Sequence, residues 1–333
     1  MMASNGTPNS SLDCGINQKA WEIALPTLYF TIFTPALLLN LVVAWICLHI
    51  QANSTFMVYL KHLVAADLLM TLTFPIRGAS ELSEASPGLH AFACRFSSVF
   101  FYLAMNMSVI LMGLISLDRY LKIVRSGGVL LCQNLLFSNV LSFLFWIGLI
   151  GSNTIPIIIT TDQDPTNKTG EFCIAMKSEL GLSWHKGVVF CGKAIFWTVC
   201  IIVVFCYTCI AKTVLESYQR SRGNNDKRKR KAKLRVFLIL IVFLICYVPY
   251  HSIRIPYTEL QVQSNDTCGK LSLRIGKDFT LWLSALNVCL DPLIYFFLCR
   301  AFREKFWEIF DLKRFVTSFG KNSDACQSSD TSL

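Results

Sequence analysis

Seven long apolar segments constrain the fold of this chain more than any other feature. Each holds roughly the 20 mostly apolar residues that a helix needs to cross a bilayer. Apolar residues make up 53% of the 333 residues and charged residues only 16%, whereas a soluble domain averages about 25% charged residues. The sequence therefore predicts an all-α membrane protein, a seven-transmembrane helix bundle with spans at 23–49, 56–79, 92–124, 135–160, 187–218, 234–257 and 278–298.

The distribution of basic residues predicts the orientation of these spans. The connection between spans five and six contains the run Lys227 to Lys231, and further basic residues follow span seven. Because cytoplasmic loops are enriched in Lys and Arg, we expect the C-terminus inside the cell and the N-terminus outside. The formal charge of +10 follows this topology and gives no reason to expect a nucleic-acid partner. The predicted divisions are an extracellular tail (1–22), the bundle (23–298), a membrane-surface amphipathic helix (299–314) and a cytoplasmic tail (315–333).

Sequons and cysteines fit the same topology. The N-glycosylation acceptors that fall in segments predicted to be external are Asn5, Asn9, Asn167 and Asn265. The cysteines in polar stretches, all on the oxidising side, are Cys14, Cys94, Cys173 and Cys268. Cys94 can pair with Cys173 and Cys14 with Cys268, although four cysteines allow three pairings.

The sixth predicted span contains a cation within its apolar, membrane-crossing part. Arg254 lies near its far end, three residues after His251 and on the same face of a helix. An arginine in an apolar segment usually faces a cavity, because its exposure to hydrocarbon is costly. Pro249 predicts a bend in this segment.

Short motifs in all seven spans then indicate a family. They are Asn40, Leu63-Val-Ala-Ala-Asp67, Asp118-Arg119-Tyr120, Trp146, Tyr207, Cys246-Tyr-Val-Pro249 and Asp291-Pro-Leu-Ile-Tyr295. Together they resemble, in order and across residues 23–310, the markers of the rhodopsin-like (class A) G-protein-coupled receptors.

This resemblance implies how the bundle would signal. The inner end of span six would swing outward at Pro249, span seven would bend at Pro292, and a heterotrimeric G protein would bind in the crevice. Asp118 would hold Arg119 in an ion pair until a partner displaces it, and Tyr207 and Tyr295 would then meet near Arg119, which Tyr120 follows. The resemblance also implies a sodium and water site among buried polar residues, namely Asn40, Asp67, Asn287 and Asp291, although a purely structural polar cluster remains an alternative.

The outer half of the bundle is rich in cations, and this predicts an anionic ligand. No acidic residue occurs from Cys94 through Ile115, the part of span three in which amine receptors of this family have an aspartate. Ala285 occupies the position of the retinal-binding lysine of opsins, so light reception is excluded too. Phosphate is the anion that best matches an arginine.

Four further runs narrow the resemblance to the purinergic nucleotide receptors, in the branch that recognises ADP or UDP-sugars. They begin at Cys94, Lys177, His251 and Lys277. By this resemblance Arg254 and Lys277 would bind phosphates with Lys177, His185, Tyr257 and Gln261 assisting, and Tyr102 and Asn153 would contact the base. His251, in the same run as Arg254, belongs to the predicted ligand residues as well.

The sequence thus predicts a plasma-membrane receptor for an extracellular nucleotide, most simply ADP, that acts through an inhibitory G protein. Receptor kinase and arrestin are expected partners of the Ser/Thr-rich tail. The alternative is another anionic ligand, such as a UDP-sugar, a lipid phosphate or a carboxylate. A transporter is disfavoured because repeats and short broken spans are not evident, and no motif predicts an enzyme. Two departures from the family stand out: Ser126-Gly127-Gly128 in the second inner loop, and Tyr247, whose hydroxyl would need a polar partner.

Overall fold

The described part of the chain is a bundle of α-helices. The structure, a computed structural model, describes residues 18–50, 54–124, 134–164, 172–220, 226–263, 267–298 and 300–309. Its helices are α1 (Gln18–His49), α2 (Thr55–Ser80), α3 (Pro87–Phe92), α4 (Ser98–Val124), α5 (Leu135–Leu149), α6 (Ile155–Thr160), α7 (Phe172–Ala175), α8 (Glu179–Arg220), α9 (Asp226–Gln263), α10 (Thr267–Ala285), α11 (Asn287–Leu298) and α12 (Arg300–Ile309). One antiparallel bridge joins Thr161 to Lys177.

The predicted spans match these helices, with some corrections. Six described helical segments are long and apolar enough to cross a membrane, and α10 followed by α11 forms the seventh span. The third span begins at Pro87 rather than at residue 92, so much of the predicted first outer loop is helical. The seventh begins at Thr267 rather than at 278 and is interrupted at Leu286. The helix predicted for 299–314 is present as α12; residues 310–314 lie outside the described part.

Side-chain caps explain where several helices begin. Ser54 Oγ accepts a hydrogen bond from Met57 N at 3.3 Å and starts α2. Ser86 Oγ accepts from Leu89 N at 3.2 Å at the start of α3, where Pro87 occupies a first-turn position that needs no N–H donor. Asn134 Oδ1 accepts from Leu136 N at 2.8 Å before α5. Such caps satisfy donors that the first turn of a helix leaves free.

The distribution of burial is that of a membrane bundle. On α5 the fully buried side chains include Ser138 and Ser142, whereas Leu136 and Ile147 on the same helix are 71% and 66% exposed. Both serine hydroxyls bond to carbonyls one turn back, Asn134 O and Ser138 O. Small polar residues inside and large apolar residues outside are expected where lipid is the solvent.

Two prolines leave backbone carbonyls that side chains of other helices bind. Pro292 has no N–H to donate to Val288 O one turn earlier, and Asn40 Nδ2 donates to that carbonyl at 2.9 Å. Pro156 leaves Ser152 O free in the same way, and Trp184 Nε1 donates to it at 2.9 Å. The first contact joins α1 to α11, and the second joins α8 to the π-helical turn Ile150–Thr154 between α5 and α6. Each proline thus provides, through the carbonyl that it leaves free, the acceptor of a specific hydrogen bond between two spans.

Two stretches of the bundle have π-helical turns. One is Ala93–Ser97, between α3 and α4, and the other is Ile150–Thr154. Such turns insert an extra residue into a helix, rotate the side chains that follow, and occur often at functional sites. Cys94 lies in the first turn and Asn153 in the second, so both turns shape the same end of the bundle. We call it the disulfide end, because it carries the Cys94–Cys173 disulfide; the opposite end, which carries Asp118, is the Asp118 end.

Close packing at the disulfide end gives a stability prediction. A Cβ atom at Gly181 on α8 would lie 2.8 Å from Thr160 O and 2.6 Å from Thr160 Cβ. Gly181→Ala should therefore push α8 from α6 and destabilise the protein by about 1–3 kcal/mol, the usual cost of overpacking. The matched control is Gly187→Ala, since a Cβ atom at Gly187 meets nothing within 4 Å. Thermal unfolding of the detergent-solubilised protein should show a lower Tm for the first variant alone; equal Tm values would contradict this packing.

Candidate functional site

Cations that are wholly or partly buried dominate the disulfide end. They are Arg77 on α2, Lys177 before α8, Arg254 on α9 and Lys277 on α10, and we call them the cationic cluster. The charges of Arg77, Arg254 and Lys277 all act on the Tyr102 phenol of α4. Lys177 and Arg254 both act on His185 of α8. The structure therefore brings together cations from four separate segments around two side chains that the sequence analysis also named.

Arg254 is held by tyrosine side chains. Its guanidinium lies 5.0 Å from the centre of the Tyr102 ring and 5.4 Å from that of Tyr250, and Arg254 Nη1 donates to the Tyr250 hydroxyl. The two tyrosine rings are stacked with their centres 6.5 Å apart. Within the described residues, no carboxylate lies within ion-pair distance of Arg254. The ring faces attract its charge and leave it uncompensated.

Lys277 has both an aromatic and an acidic neighbour. Its ammonium lies 4.7 Å from the centre of the Tyr257 ring and 3.0 Å from Asp278 Oδ1. Asp278 also lies 4.0 Å from Arg274 Nε, on the exposed side of α10. One carboxylate is thus shared between two cations, so Lys277 is only partly neutralised. Lys277 therefore lies over the Tyr257 ring, just as Arg254 lies over the Tyr102 ring.

Lys177 is buried where the segment after Cys173 reaches α8. Lys177 Nζ donates to Thr161 Oγ1 at 2.9 Å, and the backbone bridge of the same two residues fixes this segment against the end of α6. The disulfide ties it to the start of the third span. Burial lowers the pKa of Lys177 to about 8, because desolvation disfavours the charged form. Its charge therefore changes within the neutral to mildly alkaline range.

Two histidines border the cationic cluster. The His251 ring lies flat on Phe196, with ring centres 3.7 Å apart and planes 4° from parallel. Both of its nitrogens are buried and have no hydrogen-bond partner within the described residues, and neither has His185 Nδ1. Because a buried polar atom without a partner is costly, these nitrogens are available for a ligand or water.

The other predicted ligand residues are less closely tied to the cluster. Asn153 is half-buried in the second π-turn, where its Oδ1 accepts a weak hydrogen bond from Ser152 Oγ at 3.4 Å. Gln261 lies on α9, but its side chain is outside the described part of the structure. The described geometry gives no contact between Asn153 and the cluster. It unites the remaining predicted ligand residues, which are Tyr102, Lys177, His185, His251, Arg254, Tyr257 and Lys277.

A second polar site lies inside the bundle, where the predicted network residues are fully buried. Asn40 Nδ2 donates to Val288 O and to Ala36 O, each at 2.9 Å, and Asn287 Nδ2 donates to Asp291 Oδ2 at 2.6 Å. The remaining oxygens, Asn40 Oδ1, Asn287 Oδ1 and Asp291 Oδ1, have no hydrogen-bond partner within the described residues. Asp67 is also fully buried, and its charge acts with that of Asp291 on Tyr247. Carboxylate and amide oxygens of this kind suit a hard cation.

At the Asp118 end, the ion pair predicted between Asp118 and Arg119 is not formed. No ion pair joins these two residues, both of which the structure describes. Asp118 instead lies 2.9 Å from Lys122 Nζ and accepts a hydrogen bond from Thr55 Oγ1. The Arg119 guanidinium lies 4.0 Å from the centre of the Phe56 ring. Neighbouring residues of a helix point in different directions, and Lys122, one turn on, is the nearer cation.

Two further predicted switch residues lie near this end. Tyr207 is buried, and the charge of Arg119 acts on it. Tyr120 packs against Phe205, with ring centres 5.7 Å apart. The third predicted tyrosine, Tyr295, lies on α11, but its side chain is outside the described part. The meeting of Tyr207 and Tyr295 near Arg119 therefore stays a prediction.

The core of the bundle holds the other predicted switch residues. The polar partner expected for the Tyr247 hydroxyl is not present among the described residues, and the ring packs against Phe243 with centres 5.4 Å apart. Pro249 and Pro292 lie within α9 and α11, as predicted. Both prolines thus interrupt the hydrogen-bond ladder of the helix in which they lie.

Comparison with known proteins decides the family. The model of the seven-transmembrane receptors of the rhodopsin family matches residues 40–295. The chain belongs to this family. It is 40% identical to purinoceptor 14 of Bos taurus over 304 residues, which cover 91% of this chain and 90% of that protein. It is 38% identical to purinoceptor 13 of Homo sapiens over 298 residues, covering 89% and 84%, and 38% identical to G-protein coupled receptor 87 of Mus musculus over 296 residues, covering 88% and 82%.

The rhodopsin-family receptor described here is therefore a multi-pass membrane protein of the purinoceptor branch. It is a signalling receptor that acts through a heterotrimeric G protein, and not an enzyme, as the sequence predicted. The predicted disulfide between Cys94 and Cys173 is present. Cys268 is disulfide-bonded as well, whereas its predicted partner Cys14 lies outside the described residues. The predicted glycosylation sites Asn5, Asn9, Asn167 and Asn265 lie outside them too.

Sequence patterns alone do not identify two side chains that help to build this receptor's cationic cluster. Tyr250 belongs to none of the motifs that suggest ligand contacts, and Arg77 is only one basic residue among several. The Arg77 guanidinium lies 4.6 Å from the centre of the Phe101 ring and 5.5 Å from that of Tyr29, and Nη1 donates to Ser98 Oγ at 3.1 Å. An arginine within an apolar span is itself a signal. The position of Tyr250, one turn before Arg254, is the corresponding signal for the tyrosine.

Proposed function

We propose that this receptor binds an extracellular nucleotide at the disulfide end, that the agonist is ADP, and that it signals through an inhibitory G protein. The proposal depends on the surroundings of Arg254. Its partly buried guanidinium contacts Tyr102 and Tyr250, and no carboxylate among the described residues pairs with it. A phosphate would supply the missing negative charge and bind the planar guanidinium in a bidentate manner. The names of the relatives, purinoceptors 13 and 14, support a purine ligand class.

The cationic cluster suggests how a nucleoside diphosphate would lie. The two phosphates would bind Arg254 and Lys277, which come from neighbouring spans, and Lys177 and His185 would lie at the side of α8. Tyr102 offers its ring to the base, since one face of an aromatic ring can stack on any base. An agonist that binds both Arg254 and Lys277 would draw α9 and α10 together at the disulfide end. That movement would favour separation of their other ends.

The orientation follows from the same proposal. The disulfide end would face the outside of the cell, where Cys94 and Cys173 stay oxidised. The Asp118 end would face the cytoplasm and the basic run at 227–231, in accordance with the charge rule for membrane proteins. Ligand binding at one end of α9 would then open the bundle at the other end of α9, where the inhibitory G protein would bind. Kinase and arrestin would bind the Ser/Thr-rich tail, which lies outside the described residues.

We also propose a sodium ion in the core. Asn40, Asp67, Asn287 and Asp291 would hold it, because their buried oxygens suit a hard monovalent cation and two carboxylates supply the compensating charge. The ion would screen the repulsion between Asp67 and Asp291. These residues come from three spans, so the same oxygens would hold those spans in one arrangement.

A panel of agonists tests the identity of the ligand. Cells that express the receptor with an inhibitory G protein should lower their cAMP in response to ADP, and should respond more weakly to UDP, UDP-glucose and lysophosphatidic acid. ADP fits because the cationic cluster offers two phosphate-binding cations beside one aromatic platform. Cells that lack the receptor provide the control. A response to UDP-glucose at lower concentration than ADP would replace ADP by a nucleotide sugar, and a response to the lipid alone would reject a nucleotide.

Replacing Arg254 tests the phosphate contact. Arg254→Ala should raise the half-maximal ADP concentration about 30-fold or more, because loss of one partner from a desolvated, charge-assisted contact costs about 2–5 kcal/mol. Lys270→Ala is the matched control: Lys270 lies on the neighbouring helix α10, its side chain is exposed, and it is not a member of the cationic cluster. Surface expression of both variants should be measured by antibody binding to a tag. An unchanged ADP response of a well-expressed Arg254→Ala receptor would exclude the phosphate role.

Lys177 makes the ADP response depend on pH. Since its pKa is lowered to about 8, the fraction of charged Lys177 falls from about 90% at pH 7 to about 10% at pH 9. The phosphates of ADP stay ionised over this range, so the half-maximal ADP concentration should rise by up to about tenfold with pH. Lys177→Arg should give a flat profile, because arginine keeps its charge, and Lys177→Met a flat profile at reduced potency. A wild-type profile as flat as that of the arginine variant would contradict the role of Lys177.

A further inference from the structure

We infer that Lys122 is a positioning residue for G-protein activation: it binds Asp118 and thereby keeps that carboxylate from pairing with Arg119. Among the described residues the Arg119 guanidinium then lies against an aromatic ring and pairs with no carboxylate, so it stays available to the G protein. The inference concerns the Asp118 end only. It requires that the receptor activates a G protein, and it does not depend on which ligand binds at the disulfide end.

Asp118 lies in a well-built anion site. Lys122 Nζ lies 2.9 Å from its carboxylate and 2.7 Å from Thr55 Oγ1, and that hydroxyl donates to Asp118 Oδ1. Thr55 is the first residue of α2, behind the cap Ser54, so the carboxylate also lies at the positive end of a helix. A cation, a hydroxyl and a helix terminus therefore compete with Arg119 for this one carboxylate.

Arg119 is bound weakly by comparison. Its guanidinium lies 4.0 Å from the centre of the buried Phe56 ring, and Arg119 Nε is buried and has no hydrogen-bond partner within the described residues. The charge of Arg119 acts on the buried Tyr207 phenol of α8. Within the described part of the chain, the Arg119 side chain is thus held without a carboxylate.

Two consecutive residues of α2 separate the charges at this end. The Thr55 hydroxyl donates a hydrogen bond to the Asp118 carboxylate, and the Phe56 ring contacts the Arg119 guanidinium. Both start α2, so their positions are fixed by the cap that precedes them. Lys122 completes the arrangement, because without its ammonium Asp118 has no ion-pair partner among the described residues, and Arg119 follows it directly on the same helix. Removal of Lys122 should therefore create the ion pair that the sequence alone led us to expect.

Lys122→Met tests the inference, because methionine keeps the apolar stem and removes the charge. Membranes that contain the full-length receptor and its G protein are assayed for GTP-analogue loading, both without agonist and across agonist concentrations, at matched receptor density. Lys122 is partly exposed, so we expect a change of about two- to fivefold, the range of such ion pairs. Agonist-free loading should fall, and the half-maximal agonist concentration should rise, by this factor. Lys122→Arg should behave as the wild type does.

A second variant separates positioning from a merely structural effect. In an Asp118→Asn receptor there is no carboxylate for Arg119 to bind, so adding Lys122→Met should change neither readout. Equal effects of Lys122→Met in both backgrounds would overturn the inference, and so would an unchanged response of the single variant. If Lys122→Met fails to reach the membrane, Lys122→Gln provides the same loss of charge with a more polar side chain, and the same two comparisons decide.

Discussion

A positive charge inside an apolar helix bundle needs partners, and at both ends of this receptor aromatic rings are among them. Arg254, Arg77 and Lys277 lie over tyrosine or phenylalanine rings, and so does Arg119 at the other end. Each such contact is worth about 0.5–2 kcal/mol, far less than the cost of leaving the cation in hydrocarbon alone. Ring faces therefore position the cations. Lys277 also shares Asp278 with Arg274, whereas the charges of Arg254 and Arg119 would remain for a ligand or a protein partner to neutralise.

The spans themselves are joined by groups that regular helices do not offer. Pro292 and Pro156 each free one carbonyl, and Asn40 and Trp184 bind these carbonyls from other helices. In lipid a free carbonyl has no water to bind, so such a contact is both required and specific. Each of these links therefore lies where a proline interrupts the hydrogen-bond ladder of a span. An interruption and a link at one position would allow a change at the disulfide end to be passed along a span.

Residue patterns along the chain predict most of the fold and part of the site. The seven apolar segments, the prolines, and the buried polar residues of α1, α2 and α11 are all visible as composition and spacing, because each property belongs to one helix at a time. The interruption at Leu286, the π-turns and the early start at Pro87 are not visible in this way, because apolar runs look alike whether a helix is regular or not. The pairing of Asp118 with Lys122 and Thr55 escapes prediction for a different reason. It depends on which helix start packs beside α4, and adjacency in sequence suggests the wrong cation.

An arginine–ring contact occurs near both ends of α4, with α4 providing the ring at one end and the arginine at the other. Near its start, Tyr102 is a ring that receives the arginine of another helix; near its end, Arg119 rests on the ring of another helix. An arginine held by a ring exchanges partners more readily than one held by a carboxylate, because no ion pair has to be broken first. In the function proposed for the disulfide end, this keeps Arg254 ready for an anion. In the role inferred for Lys122, Arg119 would be ready for a new acceptor only while Asp118 is occupied elsewhere, so the carboxylate and its lysine would determine how freely the Asp118 end responds.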